Sequence, residues 1–137
     1  MNTVALTFSP APAQIRTARL LAVAVGRRSG LPEEMIDEVR LAVDEACSRA
    51  VSVHNRLRTD EHVRVAFVED NRGYQISVSD IGPVAEARKA DLSEPFPTSP
   101  GDIAPSVELA IVSGLVDDVQ VKPSPDGGTV VVLRWNR

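Results

Sequence analysis

The sequence predicts a two-layer α/β sandwich, a mixed and mostly antiparallel sheet covered on one face by helices. Three observations predict it. Short stretches with a two-residue hydrophobic period alternate with longer stretches of helical period. Their order, β-α-α-β-β-loop-α-β-β, groups strands and helices as a sheet with one helical layer requires. Hydrophobic residues make up 43% of 137 residues, enough for one core in one domain spanning residues 1–137.

The elements follow in order. In residues 3–8, Val4, Leu6 and Phe8 alternate with Thr3, Ala5 and Thr7, which reads as a strand. A helix is expected over residues 13–28, with Ile15, Ala18, Ala22 and Val25 on one face and Ser29–Gly30 as its stop. Leu31–Pro32–Glu33–Glu34 looks like a second helix start, with proline in the first turn and acids at the positive end of the dipole. That helix runs to about His54 along a stripe of Ile36, Val39, Val43, Ala46, Cys47 and Ala50, with Glu38, Glu45 and Arg49 facing elsewhere. Residues 62–69 and 74–80 alternate again around Asp70–Asn71–Arg72–Gly73, which predicts a hairpin. Asp80 closes its second strand on the same face as Tyr74, Ile76 and Val78.

Five prolines between residues 83 and 105 prevent a long regular element there. Residues 82–104 are read as a lid-like loop or as a plain solvated connection. A helix is expected from Pro105 to about Leu115, then a strand over 117–122, a turn over 123–128 and a final strand over 129–135. The unbroken Val130–Val131–Val132–Leu133 predicts a well-covered central strand.

Composition excludes several classes. A net charge of −4, with no basic stripe, argues against direct nucleic-acid binding. The sole cysteine, Cys47, has no internal disulfide partner and reads as a small buried hydrophobe. His54 and His62 have no metal-site spacing with it, so no metal site is expected, and His54 reads as a helix C-terminal residue that favours the dipole. The first residues lack a signal-peptide pattern, and no apolar run reaches the ~20 residues that span a bilayer. A cytoplasmic protein without membrane contact is expected.

Three segments resemble the GHKL (histidine kinase-like) ATPase domains, and most closely the bacterial anti-sigma factors with serine/threonine kinase activity. The first is Arg40–Leu41–Ala42–Val43–Asp44–Glu45–Ala46–Cys47–Ser48–Arg49–Ala50, against Leu-Ala-Val-x-Glu-Ala-x-x-Asn-Ala in the family. The second, Asp80–Ile81–Gly82–Pro83–Val84, resembles Asp-x-Gly-x-Gly. The third, residues 105–117, keeps the hydrophobic spacing and Asp117 of the phosphate-binding segment, and Gly127–Gly128–Thr129 matches the family's final turn.

The resemblance implies a Bergerat-type ATPase fold. It implies Glu45 as the base that activates an attacking hydroxyl, and Asp80, Gly82 and Thr129 around an adenine. Arg49 stands where the family has the asparagine that holds Mg²⁺, and Val84, Ser106 and Glu108 replace glycines. Arginine repels a cation, so Mg²⁺ binding is doubtful; Arg49 touches phosphates directly, pairs with Glu45 one turn earlier or has a surface role. Asp80 has a structural reading as well, as the head of an Asx turn. Glu108 puts a negative side chain at a helix start where a phosphate would otherwise sit.

Two functions follow from the resemblance. One is an anti-sigma-like regulator that binds a sigma factor, or a small α/β anti-anti-sigma antagonist, as a homodimer with an impaired ATP site. The other is an active ATP/Mg²⁺-dependent kinase that phosphorylates that antagonist. A scaffold for another signalling partner stands as a third possibility. Arg16, Arg19, Arg27 and Arg28 make the first helix basic, either as a solvated face or as a surface for an acidic partner.

Overall fold

The computed structural model describes residues 2–83 and 114–136. Strand β1 (Asn2–Phe8) leads through a 3₁₀ turn (Pro12–Gln14) into helix α1 (Ile15–Arg28). Helix α2 (Glu33–Arg56) and strands β2 (Val63–Asp70), β3 (Gly73–Asp80), β4 (Asp118–Pro123) and β5 (Thr129–Asn136) follow. Apart from its first two residues, the expected loop over 82–104 lies outside the described residues. So does the body of the helix expected from Pro105.

The five strands form one sheet in the order β1-β2-β3-β5-β4, and every neighbouring pair is antiparallel. The helices α1 and α2 pack against each other and onto one face of this sheet. The period-2 pattern explains which face. Val63, Val65 and Phe67 of β2 are buried, as are Tyr74, Ile76 and Val78 of β3 and Val131, Leu133 and Trp135 of β5. Their neighbours Ser77 and Val132 point the other way and are half-buried. The valine run of β5 is therefore internal to the sheet, but its described neighbours cover one face only. The internal place of β5 between β3 and β4 is the one its unbroken apolar run predicts, with Val131 and Leu133 buried and Val130 and Val132 half-buried.

The helices register on the sheet through a few directional bonds. Tyr74 donates its hydroxyl to the Ala22 carbonyl at 2.7 Å, tying β3 to α1. Trp135 stacks on Tyr74 with ring centroids 5.9 Å apart, and its indole N–H donates to the Leu115 carbonyl at 3.3 Å. Burial pushes the Tyr74 phenol pKa up. The buried Cys47 thiol is pushed up to about 12 by burial and then by Asp44, so it is a packing residue rather than a nucleophile.

Turn chemistry fixes the joints. Gly30 ends α1 with φ +87°, a left-handed cap that lets Leu31 N–H bond the Gly26 carbonyl. In the β2–β3 hairpin, Asp70 Oδ1 accepts from Arg72 N–H at 2.7 Å, Gly73 N–H at 3.0 Å and Arg134 Nη2 at 3.1 Å. The Arg72 N–H bond, followed by Arg134, holds the Asp70 pKa below its ordinary value. The stability this contributes is complete above the ordinary carboxylate pKa and is lost as pH falls through the lowered one.

Three of the four arginines that make α1 basic pair with carboxylates of the chain, Arg27 and Arg28 while more than half exposed. Arg19 pairs with Asp44 at 3.0 Å, Arg27 with Glu33 at 3.1 Å and Arg28 with Glu69 at 3.7 Å. The α1–α2 antiparallel pairing and the closeness of β2 supply these carboxylates, which a one-dimensional reading of the helix could not place.

At the far end of α2 the chain takes a left-handed turn without glycine. Arg58 has φ +56°, and Thr59 N–H caps the His54 carbonyl at 3.1 Å. A non-glycine residue there carries roughly 1–2 kcal/mol of strain. Arg58→Gly is therefore expected to raise stability by about 0.5–1 kcal/mol after the added freedom of the unfolded chain is subtracted. Urea unfolding should report a higher midpoint with unchanged slope; an unchanged or lower midpoint would contradict this reading of the turn.

Candidate functional site

Helix α2 crosses the C-terminal end of β3, and the site is built at that crossing. Position 49 falls in line with Ala42, Ala46 and Val53, at spacings of seven, three and four residues, so its side chain points to the sheet. Arg49 is consequently 1% exposed. Small neighbours, Ala46 and Ala50, leave room for a long side chain beneath the helix.

The guanidinium meets Asp80 at the end of β3. Arg49 Nη1 donates to Asp80 Oδ2 at 2.5 Å, and the two side chains are 1% and 0% exposed. The other carboxylate oxygen, Oδ1, accepts from Gly82 N–H at 2.7 Å, which makes the Asx turn. Thr129 sits opposite Asp80 in the β3–β5 register and donates its hydroxyl to the Gly82 carbonyl at 2.7 Å. His54 finishes the arrangement. Its Nε2 accepts from Ile81 N–H at 3.1 Å, and its Nδ1 faces the Glu61 carbonyl at 2.8 Å. One acceptor and one donor partner correspond to the neutral ring with its proton on Nδ1.

The Ile81 N–H, the Gly82 N–H and the Gly82 carbonyl are thus each bonded to a buried side chain. Close packing adds to the bonding. A Cβ on Gly128 would lie 2.0 Å from the Asp80 carbonyl oxygen and 2.8 Å from Ile81 Cα, so only glycine lets the β4–β5 turn touch the β3 exit.

The arrangement corrects three expectations. The Glu45–Arg49 ion pair does not form, because Arg49 is turned under the helix to Asp80. Arg49 does not face away from the core but lies within it. His54 does not act as an exposed partner of the helix dipole; it is buried and bonds through both ring nitrogens. The structure brings Arg49, Asp80, Gly82 and Thr129 into one cluster. Glu45 stays outside it, half-buried about 6 Å up the helix axis, with no hydrogen bond or ion pair among the described residues. His54 and Gly128 belong to the site although the sequence reading gives them only a helix-end and a turn role, and Val53, which packs against Gly82, is not singled out. The 42-46-49-53 spacing could have revealed the burial of position 49, and Gly128 stood inside a recognised turn.

Mg²⁺ prefers oxygen ligands, and a guanidinium offers only N–H donors. The carboxylate an adenine amino group would need, that of Asp80, is 0% exposed, with Arg49 against one oxygen and the Gly82 N–H on the other. The residues present do not fit an ATP·Mg²⁺ complex. Among the described residues no group of three or more His, Cys, Asp or Glu could hold a metal. A cavity of about 550 Å³ opens on the other side of the cluster, lined by Arg64, Ser79, Asp80, Ser124, Asp126 and Gly128 among others. The Arg64–Asp126 pair on its wall, at 3.6 Å, is largely solvated and so weak.

A buried pair whose partner is removed leaves an uncompensated charge. Asp80→Asn keeps an acceptor for Gly82 N–H but removes the charge facing Arg49, and is expected to cost about 3–5 kcal/mol. Adding Arg49→Met should recover part of that loss, with a coupling energy above ~1 kcal/mol in a urea-unfolding double-mutant cycle. Additive effects would show that the pair is not coupled.

Comparison with known proteins places the fold. The profile of the histidine kinase-like ATPase domain matches residues 8–135. No curated protein matches the chain. Among solved structures, the RsbU and RsbW domains of Rv1364c from Mycobacterium tuberculosis superpose with a TM-score of 0.68 at 18% identity. That match covers 99% of this chain and 32% of the other, so the chain spans about a third of the length of that relative. At this identity the likeness concerns the fold. With the family profile spanning nearly all of its length, the chain belongs to the histidine kinase-like ATPase domain family.

Proposed function

We propose that the chain is an anti-sigma factor-like regulator that works by binding proteins rather than by phosphorylating them. It would bind a sigma factor, an anti-anti-sigma antagonist of small α/β fold, or both, in the cytoplasm and as a homodimer. The observation that carries this reading is the Arg49–Asp80 pair. It engages the carboxylate that an adenine would need and puts a positive charge where a Mg²⁺ ligand would be. Ser106 and Glu108, in place of phosphate-binding glycines, point the same way. The resemblance of the motifs to anti-sigma factors supports the partner class. Leu20 on α1 and Leu41 on α2, 60% and 54% exposed, offer apolar contacts on the helical layer.

One observation favours the alternative, an ATP/Mg²⁺-dependent serine/threonine kinase acting on the antagonist. Glu45 holds the position of the family's base and has no ion-pair partner among the described residues that would blunt it. It lacks a bonded connection to the Arg49–Asp80 cluster, which weighs against its acting on a substrate held there.

Isothermal titration with ATP and Mg²⁺ separates the two. No binding up to about 1 mM is expected, whereas a Kd near ~1 μM would sink the protein-binding reading and restore the kinase. Arg49→Asn alone should not restore binding, because the glycine deficit at Ser106 and Glu108 remains. Tight nucleotide binding by that variant would identify the arginine as the sole block.

A further inference from the structure

His54 is fully buried and ties two segments to α2 with two different kinds of bond. Its Nδ1–H donates to the Glu61 carbonyl at 2.8 Å, and its Nε2 lone pair accepts from Ile81 N–H at 3.1 Å. The two bonds answer a proton in opposite ways. Protonation leaves Nδ1–H as it is, but turns Nε2 from an acceptor into a donor that faces another donor. A second buried cation is also costly here, because Asp80, the carboxylate bonded in the cluster, already faces Arg49. The other ionisable groups on the elements around the ring are Arg56 and Arg58 at the end of its own helix, and Asp60, Glu61 and His62 before β2, all with exposed side chains. Ile81 itself is 39% exposed and borders the cavity of about 550 Å³, so its N–H reaches water once released.

We infer that His54 is a proton-operated latch on the β3 exit: a proton on Nε2 releases Ile81, while Nδ1–H keeps the ring on Glu61. Proton counting gives the direction. The closed form holds His54 neutral and the open form lets it charge, so acid favours opening. Histidine suits the task because it changes charge between about pH 5 and 8. The release is local. Gly82 stays held through its N–H on Asp80 and its carbonyl on Thr129, neither of which involves His54. The latch therefore frees the cavity wall at Ile81 without dismantling the Arg49–Asp80 pair. It goes beyond the proposed binding function and holds whether or not a nucleotide binds.

Amide hydrogen exchange of ¹⁵N-labelled protein at about pH 7.5 and about pH 5.5 tests the latch, with each rate corrected for the intrinsic pH dependence of exchange. Ile81 protection should fall about tenfold or more relative to Gly82 and to the core β3 amides, since one proton contributes up to about tenfold per pH unit. His54→Gln offers Ile81 a carbonyl acceptor that does not charge in this range and should abolish the response. His62→Gln, at the chain's other histidine, should keep it. If His54→Gln does not fold, the ring ¹⁵N shifts of the wild-type protein decide: the loss of Ile81 protection must follow protonation of His54 Nε2. Ile81 protection that does not change relative to Gly82 and the core, a fall that persists in His54→Gln, or a fall that follows His62 instead would each overturn the proposal.

Discussion

The structure around the β3 exit depends on a buried arginine that has to be neutralised. A guanidinium under a helix is tolerable only if a carboxylate is held against it, because an unpaired charge in a low-dielectric interior is far costlier than any contact it makes. Asp80 supplies that charge, and it can do so only while three other conditions hold. Helix α2 must lie across the end of β3. The chain after Asp80 must turn at once, so that Gly82 N–H satisfies the second oxygen. The β4–β5 turn must come close enough for Thr129 to bond the Gly82 carbonyl. One electrostatic requirement thus fixes a helix, a strand end and a hairpin relative to one another.

The sheet makes this possible through its order. With β5 between β3 and β4, the start of β5 falls beside the end of β3, and Asp80 is opposite Thr129. His54 then spans from α2 to Ile81 on one side and to Glu61, just before β2, on the other. Side chains of the protein itself thus join helix to strand at this corner.

Much of the fold is readable from the sequence because it rests on local rules. The alternation of β2 and β3, the Asp70–Gly73 turn, the proline and acids that open α2 and the glycine that ends α1 all act over a few residues. The site is less readable because its decisive facts are long-range. Arg49 looks like a surface residue by type, and only the line through Ala42, Ala46 and Val53 betrays that it is buried. Its nearest carboxylate in sequence, Glu45, was the natural partner, yet the partner is Asp80, 31 residues away. The same holds for Arg19, Arg27 and Arg28, whose carboxylates come from neighbouring elements. His54 was read by its position at a helix end, whereas the loop before β2 and the exit of β3 close over it. The resemblance of the motifs pointed to Asp80, Gly82 and Thr129, which the structure brings together with Arg49.

The central claim is that the Arg49–Asp80 pair, and not a bound nucleotide, organises the β3 exit. Amide hydrogen exchange at Ile81 and Gly82 measures this most directly. The account predicts protection of both amides close to that of core β3 amides in the protein alone, unchanged by ATP and Mg²⁺. Rapid exchange in the protein alone, with protection appearing only on addition of ATP and Mg²⁺, would contradict it.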